Sequence, residues 1–183
     1  RYSIVHPGEA LHDPDTGDLL GYMALATATA QVTPAAGSDL SNAVLLESLR
    51  ETLRGDLVFP EDASRLAADI TPRRAPEGID GQIIGIVNGV QLVGAYNVVA
   101  INRGSRDGLT VGHVLALHQR GEKVSDPGCE RQRGKMCTSR SDVQLPDERT
   151  GTLLVFKTYD RMSFGLVTGA TSEMRVADGV RTP

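Results

Sequence analysis

The sequence predicts a mainly β protein built from two small antiparallel barrel or sandwich units with a short connecting segment. The apolar runs are rich in Ile, Val and Leu, but they are too short and too often broken by glycine for long helices. The 20 glycines and 9 prolines are typical of a chain with many tight turns. A Pro- and Arg-containing stretch separates two groups of apolar runs. We therefore place the first β unit at 1–62, the connector at 63–80 and the second β unit at 81–183.

The first unit is predicted to begin with a hairpin. Tyr2–Pro7 and Leu19–Val32 have the composition and alternation of half-buried strands. Between them Asp13–Asp18 combines Pro and Gly in the order that a turn requires. The same segment begins like a calcium-binding loop, but Asp18 and Ala24 stand where Gly and a bidentate Glu are needed. A hairpin turn therefore explains it better than a cation site.

The segment Leu40–Leu53 fits both a helix and a strand. Its leucines can be drawn as a helical stripe, whereas the string AVLLESL is typical of a buried strand. A weak internal repeat favours the strand, because residues 43–60 align without gaps on residues 166–183. The second copy carries Gly169, which suits a helix poorly. We therefore predict a strand that ends in a short turn.

The second unit carries the clearest hairpin signal, within Gly81–Leu117. An Asn-Gly dipeptide lies between two apolar runs, and it favours a type I′ turn because both central residues take positive φ. A second turn is predicted over Arg103–Gly112 and a third strand after it, which together give a β-meander. Gly151–Thr158 and Met162–Thr171 are predicted as a final hairpin. The residues predicted to form structural turns are Asn88, Gly89, Gly104, Asp107, Gly108 and Gly112, with Gly55 and Asp56 in the first unit.

Residues 120–150 form a long polar loop, and loops of this length are usually functional or mobile. Its two cysteines, Cys129 and Cys137, are predicted to form a disulfide, which implies an oxidising compartment. The alternative is a pair of surface thiols in a cytosolic protein. Four basic side chains make the loop a candidate partner-binding surface: Arg131, Arg133, Lys135 and Arg140.

Composition and motifs argue against several function classes. A net charge of −4, 4% aromatic residues and no Trp disfavour nucleic-acid binding. No apolar run approaches the roughly 20 residues of a membrane span. The string at 128–135 resembles a phosphate-binding loop but has the wrong spacing and Met136 in place of Ser or Thr. The four histidines are predicted at the surface or rim. No catalytic, cofactor-binding or metal-binding residue is predicted.

Several strings resemble one protein family. The most specific part is Asn97–Glu122, with the string NRGSRDGLTVGHVLAL, and RGDLVFPE and IDGQIIGIVNG extend the similarity over nearly the whole chain. They resemble the region downstream of the LysM module in proteobacterial LysM-containing, peptidoglycan-binding proteins. The resemblance implies a secreted, periplasmic or envelope-associated protein, held on peptidoglycan by a LysM outside this chain. It supplies no catalytic residue.

We therefore expect a non-catalytic structural or interaction module of a cell-envelope protein, with another envelope protein as a candidate partner. The alternative is a regulatory or ligand-binding domain of an envelope enzyme or of a polysaccharide-export system.

Overall fold

The structure is 59% β-strand, which confirms the predicted mainly β fold class. In the part of the chain that the structure describes, the only other regular element is a 3₁₀ turn at Ser105–Asp107. The chain divides into two compact units, Arg1–Ile70 and Thr71–Pro183. The computed structural model describes residues 1–35, 39–61, 69–87, 92–125 and 142–183.

The first unit is one antiparallel sheet of four strands in the order β3-β2-β1-β4. Its small core consists of Ile4, Ala28 and Ala30, which are at most 5% exposed. The strand assignment of the ambiguous segment is confirmed, because β3 lies within it. The four strands are β1 Tyr2–His12, β2 Leu19–Pro34, β3 Ser41–Ser48 and β4 Leu57–Pro60.

The β1–β2 connection is the hairpin turn that the sequence predicts. The N–H of Asp13 donates to the carbonyl of Asp18 at 2.8 Å, and the N–H of Gly17 donates to the carbonyl of Asp13 at 2.7 Å. Gly17 has φ +77°, which glycine adopts without a Cβ penalty. Backbone geometry therefore accounts for the turn residues.

The second unit contains a closed antiparallel barrel of six strands in the order β12-β13-β8-β6-β15-β9. The pairing of β9 with β12 closes it, and β5 adds to the start of β9 in parallel. Two short pairs, β7–β14 and β10–β11, lie outside the closed ring. The strands are β5 Arg73–Arg74, β6 Asp80–Ile86, β7 Leu92–Val93, β8 Val98–Ile101, β9 His113–Gln119, β10 Lys123–Ser125, β11 Asp142–Gln144, β12 Glu148–Thr158, β13 Ser163–Ala170, β14 Met174–Arg175 and β15 Gly179–Arg181.

The barrel interior is filled by branched aliphatic side chains from most of its strands. Ile83, Val99, Leu115, Leu153 and Val167 each have no exposed surface. β6, β12 and β13 mostly alternate buried positions with more exposed ones, as a closed sheet with one dry face requires. β8 and β9 are each buried over three consecutive residues. The core of this unit is therefore much larger than that of the first.

The predicted meander is wrong in its third strand. β6 does pair with β8, with Ile83 opposite Ile101, but the two-residue turn predicted at Asn88-Gly89 is wrong, because that turn would place Ile83 opposite Gly94. β7 lies between these two strands in the sequence and pairs with β14. β9, however, pairs with β12 and β15 rather than with β8. The segment between β8 and β9 is not a tight reversal, because the N–H of Ser105 bonds the carbonyl of Tyr159 and the N–H of Gly112 bonds that of Val155, both at 2.8 Å. These bonds dock it on β12 and on the β12–β13 turn. Asn88 and Gly89 lie outside the described residues.

The predicted connector differs from the observed division of the chain. Residues 71–80 belong to the second unit, where Arg73–Arg74 pairs with β9. Ala75 and Ile79 are 4% and 6% exposed and join the barrel core. These two apolar residues stand between prolines and charges in the sequence, which makes the segment resemble a linker. Residues 62–68 lie outside the described residues.

The predicted turn glycines of the second unit have distinct structural reasons. Gly108 and Gly112 have φ of +80° and +95°, as Gly55 does in the first unit at +104°. Gly104 has an ordinary φ, but a Cβ there would lie 2.5 Å from the carbonyl oxygen of Tyr159. The Asp107 carboxylate accepts a hydrogen bond from the Gly104 N–H at 2.8 Å and fixes the 3₁₀ turn.

Gly112→Ala is expected to destabilise the second unit by about 2–3 kcal/mol, because its φ is positive and an added Cβ would lie 2.6 Å from the carbonyl oxygen of Thr71. Urea unfolding of both proteins measures the difference. Gly169→Ala is the matched control, since an added Cβ there meets nothing within 4 Å and its φ is ordinary. Equal midpoints for the two variants would contradict the strain argument.

Candidate interaction surface

The candidate residues in the long loop fall outside the described part of the chain. These are the two cysteines and the four basic residues: Cys129, Cys137, Arg131, Arg133, Lys135 and Arg140. The structure describes the strands on either side of them, β10 and β11, which pair in antiparallel fashion with Val124 opposite Val143. The predicted loop bounds 120–150 are therefore wrong, because both ends contain strands and β12 begins at Glu148. The disulfide and the basic docking surface therefore stay predictions.

The most unusual surface of the first unit is its apolar edge strands. All eight residues of β3 are exposed, including Val44 at 65%, Leu45 at 48% and Leu46 at 47%. β4 is exposed along its length as well, with Phe59 at 50%. The prediction that AVLLESL is a buried strand is therefore wrong. β3 and β4 are opposite edges of the sheet, so each carries its own run of exposed apolar residues. Such a run typically marks an interaction site.

The apolar residues of β3 occupy both faces of the sheet. Cross-strand partners share a face, so Leu45 lies on the face of Ala30, and Val44 lies on the opposite face with Gln31. A β-bulge at Leu46 interrupts the ladder, and pairing resumes at Glu47, which lies opposite Thr29. A strand that is apolar on both faces is typical of one that is covered on both sides.

The backbone of β3 is unpaired along its outer side within the described residues. The N–H of Ala35 donates to the carbonyl of Leu40 at 3.1 Å, and bonded pairs alternate along an antiparallel ladder. The N–H and C=O groups of Ser41, Ala43 and Leu45 therefore point away from β2. We call this outward-facing side of residues 41–45 the open edge. β3 contains neither Lys nor Pro, which commonly protect edge strands.

The other edge of the sheet is protected by a proline. The N–H of Glu61 donates to the carbonyl of Arg1 at 3.1 Å, and the same alternation then points Val58 and Pro60 outward. Pro60 has no N–H to offer a further strand. We call this outward-facing side of β4 the guarded edge.

An ion pair fixes the turn that leads into β4. The Nδ1 atom of His6 lies 2.7 Å from Oδ1 of Asp56, whose side chain is 2% exposed. Oδ2 of Asp56 accepts a hydrogen bond from the N–H of Leu53 at 2.9 Å. The Leu53 N–H first, and then the His6 ring, hold the pKa of Asp56 below its ordinary value of 3.8. Asp56, predicted as a turn residue, therefore ties β1 to the turn before β4.

The second unit carries a groove of about 420 Å³ where β9 and β12 leave the barrel. Asp147 shapes its wall by accepting hydrogen bonds from the N–H of Gly121 at 3.1 Å and from Arg181 at 2.9 Å. The Gly121 N–H and then Arg181 lower the pKa of Asp147. Its carboxylate thus stays charged in a structural role. The lining residues are Gln119, Arg120, Gly121, Glu122, Leu145, Pro146 and Glu148.

Two histidines of β9 are neutral by environment. His113 is only 8% exposed, so the prediction that it lies at the surface is wrong. Its Nδ1 accepts a hydrogen bond from the Thr110 N–H at 3.1 Å, and burial and then Arg73 lower its pKa. Burial, followed by Arg181, lowers the pKa of His118 as well. Among the described residues, no three His, Cys, Asp or Glu side chains converge as metal ligands would.

Comparisons with known proteins do not assign the chain to a family. No protein-family model matches the chain, and a search of curated proteins finds no match. Among the described residues, no helix has the length and apolar character that crossing a membrane would require.

The His6–Asp56 pair predicts an acid-sensitive first unit. Because the folded pKa of Asp56 lies below its ordinary 3.8, its stabilisation is complete above that pH and is lost as pH falls below it. We expect the protection factors of the β1 amides, which correct for the intrinsic exchange rate at each pH, to fall below about pH 4. Asp56→Asn should weaken the protection of the β1 amides at neutral pH and should also reduce the loss of protection on acidification. Hydrogen-exchange mass spectrometry measures both effects.

His6→Gln is the matched comparison for this prediction. It removes the contact with Asp56 but keeps the hydrogen bond from the Leu53 N–H, which is the larger cause of the lowered pKa of Asp56. Most of the loss of protection on acidification should therefore remain. If Asp56→Asn lost protection on acidification as the wild type does, other carboxylates would be the cause of the acid sensitivity.

Proposed function

We propose that this chain is a non-catalytic interaction module of a cell-envelope protein of the LysM-containing type. A LysM outside the chain would hold the protein on peptidoglycan, and the first unit would bind an envelope protein. The observation that carries the proposal is the exposed apolar surface of β3 and β4.

The energetics of that surface favour a bound state. Fully burying a Leu or Val side chain is worth roughly 1.5–3 kcal/mol, so each half-exposed one retains about 1 kcal/mol of unrealised burial. Three consecutive apolar residues of β3 are exposed, and β4, at the opposite edge of the sheet, exposes Leu57, Val58 and Phe59. Residues Leu49 and Leu53, at 64% and 55% exposure, extend the surface beyond β3. A partner that covers several of these side chains would gain an interface core.

The polar groups support a structural role rather than catalysis. The carboxylates of Asp56 and Asp147 each accept a backbone N–H and face a basic side chain. Such bonds keep a carboxylate ionised and immobile, whereas a general acid or base must exchange a proton near neutral pH. The two carboxylates with lowered pKa are therefore explained by the turns that they hold.

The groove of the second unit favours one alternative, a ligand-binding domain of an envelope enzyme or of a polysaccharide-export system. Its volume falls within the range of small-molecule sites. Arg120, Glu122 and Glu148 would supply charged contacts to a saccharide or peptide. Chemical shifts of these residues that move on titration with peptidoglycan fragments would favour this alternative over the first proposal.

The proposal is tested by separating the anchor from the interaction surface. This chain alone should remain in solution when purified peptidoglycan sacculi are sedimented, and the protein with its LysM should pellet. The full-length protein, released from the envelope, should migrate as a complex larger than one chain. Val44→Lys with Leu46→Lys should dissociate that complex without changing sedimentation on sacculi, because these side chains are exposed and apolar.

Leu19→Lys is the matched control, since Leu19 is 48% exposed in the same unit but lies outside both edge strands. Strong sacculus binding by this chain alone would overturn the LysM anchor. A full-length protein that migrates as a single chain would overturn the interaction module.

The proposed periplasmic or envelope location is tested by the two cysteines. If Cys129 and Cys137 are joined, protein recovered from its own compartment should take up thiol reagent only after reduction, with a mass increase of two labels. A Cys129→Ser variant should instead take up one label without reduction. Two labels on unreduced wild-type protein would contradict both the disulfide and the oxidising compartment.

A further inference from the structure

We propose that the partner of the open edge is a second copy of this chain, paired through β3 in antiparallel fashion about a two-fold axis. The inference rests on the proposed function, because it names the occupant of the same surface. In it, β3 of each copy extends the other copy's sheet, and two four-stranded sheets become one.

The backbone geometry of β3 selects the pairing. Ser41, Ala43 and Leu45 direct their N–H and C=O groups outward, so hydrogen-bonded partners across the axis must come from these residues. With Val44 opposite its own copy, each Ala43 faces the Leu45 of the other chain. Two such pairs give four interchain backbone hydrogen bonds and place Val44 at a closely spaced, non-bonded position.

The charges along the chain favour this register over the neighbouring one centred on Ala43. With Val44 on the axis, Glu47 faces Ser41 and Asp39 faces Leu49, so no two carboxylates meet. The neighbouring register centred on Ala43 would place Asp39 opposite Glu47. Like charges placed directly opposite destabilise a strand pair. Repulsion between Asp39 and Glu47 therefore disfavours the register centred on Ala43.

The side chains that this pairing would cover are the exposed apolar ones. Val44, at 65% exposure, meets its own copy on one face, and Leu45 meets Ala43 on the other. Leu49 lies beyond β3 and widens the contact. The guarded edge is a poorer partner because Pro60 withholds one of its outward N–H groups. A patch that complements itself forms an isologous, two-fold contact.

Val44→Cys tests the register directly, in a background in which both native cysteines are replaced by serine. Cα atoms of a non-bonded antiparallel pair are about 4.5 Å apart, within disulfide range. Mild oxidation should convert most of the protein to a covalent dimer. Val58→Cys, in the guarded edge and 49% exposed, is the matched control and should stay monomeric. Equal cross-linking of the two variants would overturn the proposed register.

The wild-type cysteines are kept for a second measurement. Analytical ultracentrifugation should find a concentration-dependent dimer that Val44→Lys weakens at least tenfold, since two lysines would face each other on the axis. Val44→Glu should do the same. An equimolar mixture of the two variants should recover the dimer, because a lysine would then face a glutamate on the axis. A folding defect would not be rescued by mixing. Leu57→Lys should leave the wild-type dimer intact.

The outcomes separate this inference from the proposed function. A wild-type chain that stays monomeric at all concentrations overturns pairing through β3. If the complex released from the envelope then contains another protein in place of a second copy, the interaction module stands and only its occupant is wrong. If that complex is absent as well, both proposals fail.

Discussion

The closure of the barrel by β9 and β12 is the contact on which the second unit depends. Their ladder runs from Gln119 opposite Glu148 to Val114 opposite Leu154. Without it, the six strands would form an open sheet with a free edge at β9 and another at β12, and its inner face would lose the enclosure that keeps Leu115 and Leu153 from solvent. The same ladder sets the position of the groove, which opens where the two strands end.

The sheet of the first unit is open, because its four strands are too few to close into a barrel. Its buried cluster holds one large aliphatic side chain, Ile4, and two alanines. Leu11 and Met23 are buried as well, but the apolar residues of the two edge strands, β3 and β4, are exposed. The exposed surface is thus a direct consequence of an open topology, and the function proposed for the unit follows from the same cause.

Much of the fold could be predicted because its signals are local. The turn around Gly17, the β1–β2 hairpin and the β12–β13 hairpin each depend on residues close together in the sequence. The partner of β9 could not be predicted, because turn signals describe a reversal and not which strand lies beside it. The open edge was missed for a related reason. Three consecutive apolar residues from Val44 onward have the composition of a buried strand, and composition cannot distinguish burial in a core from burial in a complex.

Pro60 has a consequence for the size of any assembly. A sheet with two open edges can accept a neighbour on each side, and head-to-tail addition of that kind grows into a fibre. With one edge guarded, self-pairing consumes the open edge of each chain and leaves the two guarded edges outermost. The assembly then ends at two chains. One proline thus allows a chain to display an apolar strand at high local concentration without polymerising.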